Sequence, residues 1–539
     1  MNKVVLFSML ILLGVTSLAI AQVDTAWVRR YNGPISGRDA AYSIAVDSAG
    51  YVYVSGESDT TGFTDFVTIK YTPSGDIVWA KRFRDSRPGS YRSFNPKVQV
   101  DRWGDVYVTG QSGAIDLDYC TIKYSPVGET LWVRFLPEGD SPLALSVDSI
   151  GNVYVTGMGD NASGGNFLTV KYSPLGDTLW VRRYDGPDHR QDGANALVLD
   201  RQGNVYVSGK SYSLMTSYDY CVIKYTADGQ ELWVRKYNGP GNFQDYACGS
   251  GVDTAGYFYV TGLCSDPSSL EDACTIKYTP DGDTVWVRRY NGPANSYDWG
   301  KYLAIDRSGN IVVSGMSYGV GTGKDYVTIK YTPAGDTLWV RRYNGPPGDQ
   351  WDDVNGVAVD SARNVYVTGV SFGIGTDYDY ATLKYDRNGD SQWVMRYNGP
   401  TNGGDGATDL VVVPGGDVCV TGGSDGLGTG SDYCTIKYHS LSGVEVWESV
   451  KLLRDDRLDL KVQNPASRMG EMTYYLPREG EVAVDLYDCL GRRVRRLVAE
   501  RAGEGWHKAK ALVEVPAGLY FVHLAAQGDE VVKRMVVVK

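Results

Sequence analysis

Three copies of G-x-S-x-G first suggest chemistry: Gly315-Met316-Ser317-Tyr318-Gly319, Gly369-Val370-Ser371-Phe372-Gly373 and Gly422-Gly423-Ser424-Asp425-Gly426. A hydrolase exposes its serine nucleophile on such a turn, but it needs a strand leading into a helix and a histidine to take the proton. The chain has four histidines in all, His189, His439, His507 and His523. The three serines also fall at one position of a recurring segment, so they read as framework. The same holds for Lys70, Lys123, Lys171, Lys224, Lys277, Lys330, Lys384 and Lys437, which occupy one slot of that segment. A catalytic lysine would be singular, whereas an eightfold one maintains a scaffold. Its expected partners are the turn acids Asp76, Asp177, Asp283, Asp336 and Asp390.

A carboxylate series, Asp39, Asp140, Asp192, Asp245, Asp298, Asp352 and Asp405, with Ser93 in the second copy, precedes a strand in each segment. Each Asp can bond backbone at its strand start. Several together could instead hold a Ca²⁺ ion, which takes about 6–8 oxygens, although no D-x-D-x-D-G loop accompanies them. Beyond such a Ca²⁺ no cofactor is expected. Aromatic residues that do not recur concentrate in the later segments: Phe243, Tyr246, Tyr297, Trp299 and Trp351, near Tyr318, Phe372 and Tyr378. Exposed rings among Asn, Asp and Gly suit glycan or peptide binding, and rings packing on one another between loops are the alternative.

The elements that position these groups come from a repeat best seen as DYVTIKYTPAGDTLWVRRYNGP, Asp325 to Pro346. Aligned on its tryptophan it gives Trp27, Trp79, Trp132, Trp180, Trp233, Trp286, Trp339, Trp393 and Trp447, at spacings of 48 to 54 residues. Each unit carries four short runs of Val, Ile, Tyr and Trp divided by Gly, Asp, Asn and Pro, which is the pattern of strands and tight turns. In the sixth unit they are Leu303–Asp306, Asn310–Gly315, Tyr326–Tyr331 and Thr337–Tyr343. DRSG at Asp306 places an Asp to bond its own turn, with Gly closing it. Four antiparallel strands cannot bury both faces alone, so the units must stack, and this period predicts an all-β, eight-bladed β-propeller. Nine Trp strands for eight of each inner kind predict that the Trp27 strand closes the ring as the outer strand of the last blade, with Trp447 leading away. In that fold the Asp series and the aromatic loops share the face around the channel mouth.

The unit resembles the bacterial beta-propeller repeat (SBBP) family over residues 24–447, and DYVTIKYTPAGD is also similar to the delta-60 repeat; Gly151-Asn152-Val153-Tyr154-Val155-Thr156-Gly157 and Gly203–Gly209 carry the likeness. The resemblance implies a propeller of an exported or surface protein and no particular chemistry.

Residues 1–21, with Lys3, an apolar run and Ala19-Ile20-Ala21, read as a cleavable signal peptide, and no later stretch is long and apolar enough to span a membrane. The ring is expected over 22–449, a linker over 450–458, and a small β-sandwich over 459–539, where VAVDLYD and LYFVHL alternate. This last segment resembles the type A carboxy-terminal sorting domain of the type IX (Por) secretion system through Asn464-Pro465, Tyr475-Leu476-Pro477, Leu486-Tyr487-Asp488, Gly491-Arg492, Ala517–Tyr520 and the ending Lys533–Lys539. The resemblance implies the type IX machinery as a partner and an extracellular or outer-surface location. The basic run Arg492, Arg493, Arg495, Arg496 reads as a solvated hairpin edge.

A charge of −11 with no basic face argues against nucleic acid. Cys120, Cys221, Cys274 and Cys434 share one apolar slot and read as buried thiols, while Cys248 and Cys264 could pair. Together these readings favour a non-enzymatic binding or scaffold propeller with an extracellular glycan or protein ligand. The alternative is an enzyme acting on extracellular polysaccharide through the channel-mouth carboxylates.

Overall fold

The structure is a computed structural model and describes residues 23–87, 92–113, 117–159, 164–346, 348–440, 459–462, 469–476, 478–488, 492–512, 515–516, 518–526 and 529–537. The leader at 1–21, Trp447, the linker at 450–458, Asn464-Pro465 and Cys489 lie outside them. The chain divides into two units, 1–443 and 444–539. All regular structure among the described residues is strand.

The first unit is eight four-stranded antiparallel blades, seven of them sequential: 39–83, 92–136, 139–184, 192–237, 245–290, 298–343 and 352–397. The eighth takes three strands from 405–440 and its outer strand from Val23–Tyr31, with Trp27 opposite Lys437 just as Trp339 stands opposite Lys330. The second and third strands of each blade are buried on both faces because a blade is packed on both sides. They are therefore buried without interruption over runs such as Val365–Gly369 and Val327–Tyr331. The outer strand buries little but its tryptophan.

What recurs around the ring is contact between blades, made by a tryptophan indole in seven of the eight. The Trp286 indole and the Lys277 ammonium both donate to the Pro333 carbonyl of the next blade, at 3.2 and 2.8 Å. Arg288 lies over the Trp286 ring and donates to the Gly335 carbonyl at 2.7 Å. The same clasp joins Lys70 and Trp79 to Pro126, Lys224 and Trp233 to Pro280, and, across the closure, Lys437 and Trp27 to Pro73. The expected pairing of these lysines with Asp76, Asp177, Asp283, Asp336 and Asp390 is thus corrected. Those acids lie on the solvent side of their turns, while the lysines run inward to the carbonyl of the neighbouring turn. Where a lysine does meet a carboxylate it is another one: Asp105 for Lys123, Asp306 for Lys330 and Asp417 for Lys437.

The inner turns follow the sequence reading. Asp47 Oδ1 accepts the N–H groups of Ala49 and Tyr51, and Gly50 closes the turn at φ 84°. In the seventh blade Arg363 takes that glycine's place at φ 71°. Cys120, Cys221, Cys274 and Cys434 are buried thiols. Cys248 and Cys264 are thiols as well, which corrects the suggested pair: Cys248 sits at the bulge between Ala247 and Gly249, and Cys264 stands opposite Asp245.

The second unit is a sandwich of a three-stranded sheet (459–462, 469–476, 505–512) and a four-stranded one (493–502, 480–488, 518–526, 529–537). Leu460, Tyr474 and Leu476 of one meet Val484, Leu486 and Val522 of the other in a shared core. In the basic run, Arg496 forks onto Asp485 at 2.8 and 3.0 Å and holds that carboxyl below its usual range, and Arg492 pairs with Asp488.

Candidate ligand-binding mouth

The aspartate series turns out to be a set of latches. Asp352 Oδ2 accepts the Gly345 N–H at 2.7 Å, and Asp298, Asp245, Asp192, Asp405 and Asp39 do the same at 2.6 Å with Gly292, Gly239, Gly186, Gly399 and Gly33. The recurring Asn-Gly-Pro, or Asp-Gly-Pro at 185–187, is therefore the turn that each aspartate ties to its strand. A second-strand serine stands opposite most of these aspartates in register: Ser58, Ser211, Ser317, Ser371 or Ser424. Burial raises every one of these carboxyls above its ordinary pKa. Asp245, which faces Cys264 instead of a serine, is pushed furthest, to about 6.

Two expectations are corrected here. The seven carboxylates do not gather into a Ca²⁺ site: six are spent on their own turns, and among the described residues no three Asp, Glu, His or Cys side chains lie closely enough to hold a metal. Nor does Asp140 belong to the series. The loop before blade 3 lacks Asn-Gly-Pro, Gly139 stands in the latch register opposite Gly159, and Asp140 is one residue on, beside Gln111. The same latches account for the G-x-S-x-G serines. Ser317 and Ser371 accept from Arg342 and Arg396 and stand opposite Asp298 and Asp352 across the two strands. The first glycine of the motif is needed because a Cβ at Gly315 would strike the Trp299 carbonyl of the adjoining strand.

That close approach comes from a β-bulge in every innermost strand, between Gly300 and Tyr302 in blade 6 and between Ala247 and Gly249 in blade 5. A bulge adds one residue and re-aims its side chain. The added residues, Asn195, Cys248, Lys301, Asn355 and Thr408 among them, are not equivalent in character. Asn195, Asn355 and Thr408 tie neighbouring blades by donating to the carbonyls of Ala247, Ala407 and Ala41.

Just before the bulge, the residue after the latch faces the x of G-x-S across the two strands. Around the ring this one pair reads Ala40/Glu57, Phe94/Gln111, Gly193/Lys210, Tyr246/Leu263, Trp299/Met316, Asp353/Val370 and Gly406/Gly423. In blades 4 to 7 it produces a continuous arc. The Lys210 ammonium lies 4.5 Å from the Tyr218 ring and 4.8 Å from the Tyr246 ring. Glu271, which bears electrostatically on Tyr246, accepts the Trp299 indole N–H at 2.6 Å. Lys301, 5.9 Å from the Trp299 ring, pairs with Asp353 at 2.6 Å. Lys324 approaches Asp353 at 4.0 Å and lies 4.7 Å over Trp351. Burial lowers the Lys210 pKa, raises Glu271, and pushes Tyr246 to about 12 and the Cys248 thiol to about 11. Such an arc can stack apolar ring faces, exchange hydrogen bonds with hydroxyls and meet charge.

Of the eight aromatic residues singled out in the sequence, the structure brings Tyr246, Trp299 and Trp351 into this arc. Tyr297 packs on Tyr318, and Phe372 on Tyr378 edge-on at 5.4 Å, so both pairs are partly spent on each other. Phe243 stands exposed on its loop. Sequence reasoning missed Lys210, Tyr218, Glu271, Lys301, Lys324 and Asp353. The signal that could have found them is the register of D-x against G-x-S. A cavity of about 980 Å³ opens elsewhere, between the innermost-strand ends Val147, Leu199, Val252 and Ile305 and the turns of Asp148 and Asp200. Its aspartates already bond their own turns, so it offers less to a polar ligand than the arc does.

Eight four-stranded blades around this mouth, six of them latched by an aspartate, define a β-propeller repeat protein. Residues 26–64, which hold most of the closing strand and the first strands of blade 1, match the beta-propeller repeat (SBBP) family. No curated protein matches the chain in sequence. Among solved structures it is similar to Sqt1 from Chaetomium thermophilum, bound there to the N-terminus of a ribosomal protein, at 10% identity over 76% of this chain and 99% of that one, TM-score 0.49. It is also similar to a polysaccharide lyase described as an ulvan lyase, at 12% identity over 76% and 94%, TM-score 0.39. A third is a protein of unknown function from Bacteroides caccae, at 15% identity over 54% and 93%, TM-score 0.32. These similarities concern architecture and carry nothing about ligands.

Proposed function

We propose that this chain is an exported, non-enzymatic binding propeller, held at the outer surface or released, whose extracellular glycan or protein ligand lies on the arc from Lys210 to Trp351. One observation carries the reading: a register pair present in seven of the eight blades is filled in blades 4 to 7 with rings and ions that follow one another along the mouth. The polysaccharide-enzyme alternative loses its basis in the aspartate series, because those carboxylates are latches. A glycan and peptide screen of the mature chain tests the proposal, with the Trp299→Ala/Trp351→Ala double variant as control. Ligands retained by the double variant would place binding elsewhere.

Delivery by the leader and by the type IX sorting domain is the second part of the proposal. It rests on the terminal motifs quoted above and on the separate sandwich. Deleting residues 455–539 is expected to leave a folded ring in the periplasm, and normal appearance at the surface or in the medium would refute the sorting role.

A further inference from the structure

The ligand class can be taken further, resting on the mouth reading. Among the described residues Lys210 makes no hydrogen bond to protein and meets no carboxylate, whereas its neighbours Lys301 and Lys324 share Asp353. Its ammonium is held between the Tyr218 and Tyr246 rings, and the Tyr218 hydroxyl is fixed by donating to Gln191 at 2.6 Å. Tyr212 packs edge-on against Tyr218 at 5.2 Å, and Arg190 lies 5.5 Å over Tyr212, likewise without a carboxylate among the described residues. Two cations are thus interleaved with three tyrosines at the blade-4 end of the arc. Ring faces hold a cation in place but accept none of its N–H bonds, and a half-buried ammonium without a counter-ion is poorly solvated. An incoming anion would supply both the charge and the acceptors.

We infer that the blade-4 end of the mouth recognises an anionic group on a saccharide chain, a uronate carboxylate or a sulfate ester, with Lys210 as the principal contact. The remainder of the arc fits the rest of such a chain. Trp299 and Trp351 present ring faces to the apolar faces of sugars, and Glu271 and Asp353 offer acceptors to hydroxyl groups. An acidic peptide would use the cations but has less use for rings alternating with carboxylates.

Calorimetry on the mature full-length chain tests this with oligogalacturonate, its carboxyl-reduced counterpart, a sulfated neutral oligosaccharide and polyglutamate. The expected result is that one anionic saccharide binds and loses affinity by about tenfold or more when its anionic group is removed. The two anionic arms identify carboxylate or sulfate. Lys210→Met, which keeps the apolar stem, should erase that preference without lowering the melting temperature, and Lys210→Arg should retain most of it. Equal affinity for charged and neutral forms, undiminished binding by Lys210→Met, or a preference for polyglutamate would overturn the inference. If saccharides fail while a peptide binds in a Trp299-dependent way, the anionic-saccharide inference falls and the mouth reading stands. Saccharide binding that ignores Lys210, Trp299 and Trp351 alike would remove both.

Discussion

Trp286, in the outer strand of blade 5, and Trp351, in the loop entering blade 7, give their surfaces to different neighbours. The first is 7% exposed, with Arg288 over its ring and its indole on the carbonyl of the next blade. The second is 53% exposed, and Lys324 lies over its ring. Every blade has its version of Trp286, because every blade must grip the next. No other blade carries a tryptophan at the position of Trp351. In a ring of repeats the recurring residue reports the blade interface, and the residue that breaks the recurrence at a fixed register reports what the ring is for.

The largest effect should come from the scaffold side of that contrast. Removing residues 22–33 takes away the outer strand of blade 8 and the Trp27 clasp, and the loss should exceed the about 3–5 kcal/mol of a buried Trp→Ala change alone. An unchanged melting temperature would show that another strand closes the ring. Trp286→Ala should cost about 3–5 kcal/mol in denaturant unfolding and leave ligand affinity intact. The Trp299→Ala/Trp351→Ala double variant should do the reverse. It should cost less than about 2 kcal/mol of stability and lower affinity by about thirtyfold, the equivalent of about 2 kcal/mol. A double variant that melts like Trp286→Ala would erase the distinction between the two kinds of tryptophan.

A smaller effect sharpens the comparison within the latches. Asp245 titrates near 6 in the folded chain, above its unfolded value of about 3.9. Its contribution is therefore fully present below about pH 4 and is lost as pH rises through 6. Cys264→Ser would supply the hydroxyl that the other latches have. It should lower that pKa and flatten the fall in stability between pH 4 and 6, measured as urea midpoints across that range. A slope unchanged by the serine would mean that the hydroxyl does not set the latch. Smallest of all, Arg363→Gly should stabilise by less than about 1 kcal/mol, since Arg363 occupies a left-handed φ that its seven counterparts fill with glycine. A lowered melting temperature would show that its contact with Ser308 outweighs the strain.

The ring and its closure were legible because Trp27 begins a complete copy of the repeat while Trp447 begins a degraded one. Burial of Cys120, Cys221, Cys274 and Cys434 was legible because Val67, Leu168 and Ala381 share their slot. The lysine series was placed in its scaffold role but given the wrong partner. The acids nearest in the repeat were visible, whereas a carbonyl one blade away carries no side-chain signature. Asp140 was drawn into the latch series because the shortened loop before it hides a one-residue offset. The bulges left no mark in the alternation of the innermost strands, so the inward turn of Lys301 and Cys248 could not be read. Lys210 looked like a variable letter inside a serine motif until its strand was set beside Gly193.

The closing strand also makes the ring a test of the chain's own completeness. Val23–Tyr31 leaves the ribosome early, and its partner, Gly430–Ser440, follows 430 − 31 = 399 residues later. Until then the first strand is an unsatisfied edge, and the pairing that closes the ring is the most non-local in it. A chain cut short within the last blade would lack the partner of that first strand and leave its edge open, so only a chain that reaches Ser440 seals the ring.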